Sequence, residues 1–350
     1  MIIPKKIKIA GKIISDEKCF IIAEAGINHN GNFKLAKKLV DEAKKAGADA
    51  VKFQTFKTEN LISEKTRLAD YQKENLKEKI NQFEMLKKYE LKKDDFSKLK
   101  EYSDSKGIIF LSTPHSNESI DFLDSLVPAY KIGSGDLNNH PFLKIIAGKN
   151  KPIILSTGMA TLKEIKEAVN VIRRGGNNHI IVLHCTTSYP CPLEDVNLLV
   201  IKELKEKLKL PIGYSDHTSG IITPIIARSL GAVVIEKHFT LNKNFPGPDH
   251  KASLEPKQLK KMVEEIRKTE LILGSKEKKP TKKEEKIKKL VRKSIFVAEK
   301  IEKGEKITRK KLSIKRPGNG IEPKFLEKII GKISLKSLKK GHLLSFKDLN

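Results

Sequence analysis

Eight short apolar runs, each followed by a loop and a segment of helical spacing, restrict what this chain can fold into more than any other feature. They are Phe20-Ile-Ile-Ala-Glu24, Ala50-Val-Lys-Phe-Gln54, Ile108-Ile-Phe-Leu-Ser-Thr113, Ala129-Tyr-Lys-Ile-Gly-Ser134, Pro152-Ile-Ile-Leu-Ser156, Ile180-Ile-Val-Leu-His184, Pro211-Ile-Gly-Tyr-Ser215 and Val233-Val-Ile-Glu236. Between them, Leu35, Ala36, Leu39, Val40 and Ala43 share a helical face that Gly47 ends. Thr161-Leu-Lys-Glu164 forms a capping box before Ile165, Ala168, Val169 and Ile172. Apolar strands alternating with helices argue for parallel strands covered on both sides. Eight repeats favour an α/β chain closed into a (β/α)8 TIM barrel over an open doubly wound sheet. Residues 7–15 alternate around Gly11 and read as a hairpin plugging one end of the barrel. The second connection, residues 57–92, is long, polar and partly helical, as site-covering loops commonly are.

At 350 residues the chain has room for a barrel, expected over 1–275, and an appendage. After Leu271-Ile-Leu-Gly274 the composition turns to charged residues, and 276–292 reads as a linker. From 293 to 350, short apolar runs alternate with glycines. Such a module has little core of its own and is expected to dock on something larger.

The formal net charge of +27 would attract nucleic acid, anionic membrane or anionic metabolites. The excess lies on helix faces such as Lys34-Leu-Ala-Lys-Lys and Lys257-Gln-Leu-Lys-Lys, without the aromatic residues that stack on bases. A solvated lysine-rich surface is the better reading, and no nucleic-acid partner is expected. Cys19, Cys185 and Cys191 are too few and too scattered for a disulfide framework, which points to a reducing compartment. Lysines break the opening Met-Ile-Ile-Pro-Lys-Lys-Ile-Lys-Ile, and no segment has about 18 uninterrupted apolar residues. A cytoplasmic protein with no membrane partner is expected.

Chemistry is concentrated where the strands end. The last polar residues of the runs are Glu24, Lys52 with Gln54, Thr113, Lys131 with Ser134 and Asp136, Ser156, Thr187 with Tyr189, Ser215 with His217, and Glu236 with His238. In a barrel these converge on one face. Lysines and hydroxyls suit a phosphate and a carboxylate, and two histidines on consecutive strand ends suit one divalent metal. Each residue also has a plainer use: a lone lysine snorkels, a lone histidine is structural, Glu24 neutralises a lysine and Asp136 caps a loop. Two lysines inside otherwise apolar strands are harder to dismiss, because an unpaired buried ammonium is costly. For His184-Cys185, a small buried thiol is the simpler reading, since no orienting base is evident. Gly133-Ser-Gly135 resembles a phosphate-cradling loop only weakly.

A series of motifs then resembles one family throughout the chain. Glu24-Ala-Gly-Ile-Asn-His-Asn-Gly31, Lys52-Phe-Gln54, Ser112-Thr-Pro114, Tyr130-Lys-Ile-Gly-Ser-Gly-Asp136, Ser156-Thr-Gly-Met159, Ser215-Asp-His217, Glu236-Lys-His-Phe239, Pro246-Gly-Pro-Asp249 and Lys315-Arg-Pro-Gly-Asn-Gly320 are similar, in order, to the sialic acid synthases. The resemblance implies a TIM barrel followed by a small antifreeze-like (SAF, β-clip) domain, in a domain-swapped homodimer. It implies condensation of phosphoenolpyruvate with an N-acylated mannosamine-type aldose and release of phosphate. His217 and His238 would hold Mn2+ or Mg2+. Lys52, Thr113, Lys131, Ser134, Ser156 and Ser215 would bind phosphoenolpyruvate, while Gln54, Tyr189 and Asp249 would contact the sugar. Glu24 and Asp136, then Glu236, are the candidates for proton transfer, and Arg316 would reach across the dimer to the sugar's N-acyl group. Some family members carry glutamate where Asp136 stands, and others asparagine at Thr187.

The segment Gly133-Ser-Gly-Asp136 with Asn138-Asn139 looks more like the N-acetylneuraminate and legionaminate branches than the pseudaminate branch. N-acetylmannosamine as the sugar, giving N-acetylneuraminate, is the first expectation. Legionaminic acid synthase, using 2,4-diacetamido-2,4,6-trideoxymannose, is the runner-up. A non-catalytic carbohydrate-binding or antifreeze-like protein with an inactive barrel is the alternative of another class. The chemical competence of every strand-end group weighs against it.

Overall fold

The computed structural model describes residues 7–76 and 80–350, so the first six residues, and 77–79 of the long second connection, lie outside the described residues. All eight expected runs are strands. They follow a hairpin of β1 (Ile7–Ile9) and β2 (Lys12–Ile14) as β3 (Phe20–Gly26), β4 (Ala50–Thr55), β5 (Ile109–Pro114) and β6 (Tyr130–Ile132). The series continues with β7 (Ile153–Ser156), β8 (Ile180–Cys185), β9 (Ile212–Asp216) and β10 (Val234–His238). The parallel sheet runs β5-β4-β3-β10-β9-β8-β7-β6. The first and last strands of the alternation are thus neighbours, and β5 and β6, the two ends of the sheet, pack side by side. The sheet curls into the expected TIM barrel.

Period-two alternation along the strands explains where the chemistry lies. Ile21, Val51, Phe53, Phe110 and Ile235 pack with helix residues such as Leu39, Val40 and Ile266 in the outer core. Phe20, Ile22, Ala50, Leu111, Ala129, Ile154 and Val234 form the inner core. Two residues further along the same inner faces stand Glu24, Lys52, Thr113, Lys131, Ser156 and Glu236. The barrel interior therefore changes from an apolar layer to a polar one toward the strand ends. At Gly213 the interior has no room for a side chain, since a Cβ there would lie 2.5 Å from both Leu183 Cδ2 and the Val234 oxygen.

Ile7, Ile9 and Ile14 of the hairpin join the inner core, so the hairpin does plug the apolar end. Each buried isoleucine contributes roughly 1.5–3 kcal/mol, enough to hold a ribbon too short to be stable alone. Lys12 pairs with Asp49 at 2.6 Å beside it.

The chain divides into two compact units after Gly274. The stretch expected as a linker is partly ordered. Lys282–Val291 is a helix, N-capped by Thr281 in a capping box with Glu284, and none of its residues is buried. The rest of the second unit pairs β11 (Ser294–Val297) antiparallel with β12 (Leu312–Lys315). It has its own small core, which includes Ile295, Val297, Ile301, Ile329 and Leu344. Among the described residues, no helix is long and apolar enough to cross a membrane.

Candidate active site

The polar layer opens into a cavity of about 350 Å³ lined by groups from all eight strand ends, among them Glu24, Lys52, Thr113, Lys131, Ser156, Cys185, Ser215, Glu236 and His238. Lys52 Nζ lies 2.8 Å from Glu24 Oε2 and 3.8 Å from Glu236 Oε2, and donates to Thr113 Oγ1 at 2.8 Å. Lys131 Nζ lies 3.3 Å from Glu236 Oε1 and donates to Ser156 Oγ at 2.7 Å. The Ser215 hydroxyl donates to Glu236 Oε1 at 3.0 Å, and Gln54 Nε2 donates to Glu24 Oε1 at the same distance. Two ammonium groups, each with a hydroxyl beside it, thus flank two carboxylates inside one buried layer.

The two carboxylates are driven apart. Burial raises the pKa of Glu24, with Lys52 opposing and Glu236 adding to the rise. Burial works in the same sense on Glu236, but Lys131, Lys52 and His238 outweigh it and hold that carboxyl at about 2. Groups whose environments separate their pKa values divide into an acid and a permanent anion. Glu24 is the one able to carry a proton, whereas Glu236 stays ionised and anchors the lysines. Burial disfavours a charged Lys52, yet Glu236 and Glu24 together raise its pKa, keeping it cationic. Asp249 is pushed up to about 6 by burial, with Glu24 adding to the rise and His217 opposing it.

His217 and His238 stand with ring centroids 5.5 Å apart. The His217 Nδ1–H donates to the Thr186 oxygen at 2.8 Å. Since a carbonyl only accepts, this fixes the tautomer and leaves Nε2 as the ligating atom. Nδ1 of His238 is buried without a hydrogen-bond partner, and burial, then His217 and Lys52, keep that ring neutral. Among the described residues no group of three His, Cys, Asp or Glu side chains converges as a metal site. A pair of imidazoles nevertheless suits a divalent cation that also accepts oxygen ligands.

Ser134 also lines the cavity, and its hydroxyl accepts from the Gly158 N–H at 2.9 Å. A side chain at Gly158 would collide with Thr187 Oγ1 and Ser134 Oγ. Tyr189 lies over the histidines, 4.1 Å from the His217 ring and 5.8 Å from that of His238 by centroid. Gln54, Asp249 and Thr187 complete the wall. The long second connection is a built cover. Tyr71, in the helix Asp70–Leu76, stacks on Tyr189 at 5.2 Å, and Asn75 Nδ2 donates to the Pro248 oxygen at 2.7 Å. Met85 and Leu86 line the cavity from the helix Gln82–Tyr89.

One expected site residue lies elsewhere in the barrel unit, and another belongs to the second unit. Asp136 is not among the cavity-lining residues. The 3-10 turn Ser134–Asp136 carries it past the wall, where Asn139 Nδ2 donates to it at 3.3 Å and His115 Nδ1 stands 3.8 Å away. Arg316 is exposed in the second unit, in the loop after β12. His115, Tyr71 and Cys185 line the cavity without having been singled out as site residues. His115 follows Thr113 by two positions, on the same alternation, and that spacing was the signal available for it.

Fold and site together define a (β/α)8 barrel protein with a cationic strand-end cavity and a paired-histidine corner. Residues 39–278 match the NeuB family and residues 292–350 match the SAF domain, so the chain belongs to the NeuB family. It is 46% identical over 340 residues to an N,N'-diacetyllegionaminic acid synthase of Legionella pneumophila, covering 96% of each chain. It is 48% identical over 331 residues to one of Campylobacter jejuni, covering 94% of this chain and 99% of that one. The crystal structure of an N-acetylneuraminic acid (sialic acid) synthetase from Leptospira borgpetersenii superposes with a TM-score of 0.73 at 37% identity, covering 81% of this chain and 94% of that one. The family resemblance carried by the motifs is borne out.

Proposed function

We propose that this chain condenses phosphoenolpyruvate with an N-acylated mannosamine-type aldose and water, releasing phosphate and forming a nine-carbon 2-keto acid. The observation that carries this reading is the polar layer itself. Lys52 and Lys131, with Thr113, Ser134, Ser156 and Ser215 beside them, form a buried cationic seat suited to a molecule bearing both phosphate and carboxylate. His217 and His238 would hold the divalent ion, Mn2+ or Mg2+, which when bound supplies Lewis-acid polarisation of the sugar's aldehyde.

Glu24 serves as acid and then as base. In its protonated form the carboxyl gives a proton to the alkoxide formed when the enol carbon attacks the aldehyde, and the resulting carboxylate takes one from the water that adds to C2. Glu236 remains ionised, keeping Lys131 and Ser215 in place. Gln54, Tyr189 and Asp249 orient the sugar. Arg316 completes the site of a second copy in a domain-swapped homodimer, and a cytoplasmic location follows from the nature of the substrates.

The sugar we favour is 2,4-diacetamido-2,4,6-trideoxymannose. N-acetylmannosamine stood first on the motifs alone, and identities of 46–48% to two synthases named for diacetyllegionaminate shift the preference. Likeness to the Leptospira synthetase supports N-acetylmannosamine as the second reading. Phosphate release from phosphoenolpyruvate with Mn2+ tests the choice when N-acetylmannosamine, the diacetamido mannose and its altro isomer are compared. The diacetamido mannose should give the highest kcat/KM. Preference for N-acetylmannosamine would move the assignment to N-acetylneuraminate.

A further inference from the structure

His115 lines the cavity with Asp136 behind it, Nδ1 to Oδ2 3.8 Å. That is longer than a hydrogen bond but within ion-pair range once the ring is charged, and catalytic contacts are often long before substrate binds. Three features place the imidazole. Its backbone N–H donates to the Thr55 oxygen at 3.2 Å. The Phe56 ring meets it edge-on at 6.3 Å. On the remaining side the ring borders Gly133, where a Cβ would stand in ordinary contact, 3.9 Å from His115 Cε1. The charged groups that act on it are Lys52 of β4, Lys131 of β6 and Asp136 of the following turn. Thr113 of its own strand and Phe56 of the loop after β4 carry no charge. The ring therefore stands between a carboxylate and the two lysines of the anion seat, the arrangement of an oriented general acid.

We propose that His115 is a further catalytic residue of this site, the acid that protonates the departing phosphate, and that Asp136 is a positioning residue acting through it. The proposal rests on the phosphoenolpyruvate reading. As the tetrahedral intermediate collapses, the C2–O bond to phosphate breaks and its electron pair goes to the bridging oxygen, which takes the proton from His115. The C2 hydroxyl gives its proton to water as the ketone forms, and solvent returns a proton to the ring. Binding itself arms the acid. In the empty site, burial and then Lys52 and Lys131 hold the His115 pKa down at about 4. A bound phosphate offsets both lysines, so the ring gains its proton when substrate arrives.

The direct test is an NMR titration of the full-length, Mg2+-loaded chain labelled at histidine Cε1, the His115 signal being assigned by its loss in His115→Asn. Adding phosphoenolpyruvate should raise the titration midpoint by about one pH unit or more, and Asp136→Asn should reduce that rise. In kinetics, His115→Asn should lower kcat about ten- to a hundredfold, with the phosphoenolpyruvate KM within about twofold. Asp136→Asn should add little to that loss in the double variant. His115→Gln provides a second variant should the asparagine chain fail to fold. A midpoint that phosphoenolpyruvate does not move, or a variant with wild-type kcat and pH profile beside an active wild type, overturns the proposal. A wild type that releases no phosphate with any sugar overturns the underlying reading instead.

Discussion

Lys237 and Asp216 lie side by side on β10 and β9, Nζ to Oδ2 2.5 Å, and both side chains are fully buried. They face outward from the barrel, where Asp216 also accepts from the Thr218 N–H and the Tyr214 and Thr223 hydroxyls, while Lys237 donates to the Thr218 oxygen. Each is one residue from a histidine of the site. Strand alternation places this pair on the opposite face from His217 and His238, so an ion pair outside the barrel fixes the register of the imidazoles inside it.

Lys237→Met should therefore be severe, because it leaves the Asp216 charge buried without its partner. The expected loss is about 3–5 kcal/mol of unfolding free energy, read from urea denaturation of both chains. A loss below about 1 kcal/mol, the range of exposed pairs, would contradict the role given to the pair.

His217→Ala and His238→Ala should each weaken Mn2+ binding by about a hundredfold or more while leaving the far-ultraviolet circular dichroism unchanged. Free Mn2+ measured by electron paramagnetic resonance reads the affinity without reference to turnover. Unchanged affinity in both variants would remove these histidines as the metal corner.

His29 gives the stability a pH dependence. It is 1% exposed, and burial, then His250, lowers its pKa from 6.5 to about 3. Its Nδ1 accepts from the Gly31 N–H at 3.1 Å. With a depressed folded-state pKa, the stability it supports is present above about pH 6.5 and is lost as pH falls toward 3, because the unfolded chain gains a proton that the folded chain does not. By pH 5 the loss is roughly 2 kcal/mol. The deficit of His29→Asn relative to wild type should shrink by about that much between pH 7 and pH 5 in paired denaturation curves. A constant deficit would mean that the ring titrates normally.

The strand-end residues were legible because the barrel's period-two alternation projects them inward wherever an apolar run ends in polar groups. That logic yields Glu24, Lys52, Thr113, Lys131, Ser156 and Glu236 without any structure. It stopped one step short at His115, which continues the face of Thr113 beyond Pro114. Asp136 is the opposite case. It stands at a strand end in sequence, but a 3-10 turn intervenes and takes the carboxylate out of the wall. Tyr71 was hidden because nothing periodic ties a residue in the long connection to a strand end. The helix Lys282–Val291 lacks a buried apolar face, and its one readable signal was the capping box Thr281-Lys-Lys-Glu284.

Arg316→Ala should raise the KM for the sugar much more than that for phosphoenolpyruvate, since its proposed partner is the N-acyl group. Steady-state kinetics with each substrate varied in turn separates the two. Equal effects on both constants would remove Arg316 from the sugar site.

The proposed reaction joins phosphoenolpyruvate to a sugar in the cavity. Its most direct test is phosphate release by the Mn2+-loaded chain with and without the diacetamido mannose, with the 2-keto acid quantified in the same reaction. Release is expected only when sugar and metal are both present, with one 2-keto acid formed per phosphate. Release that is independent of sugar, or no release with any N-acylated mannosamine-type sugar, would contradict it.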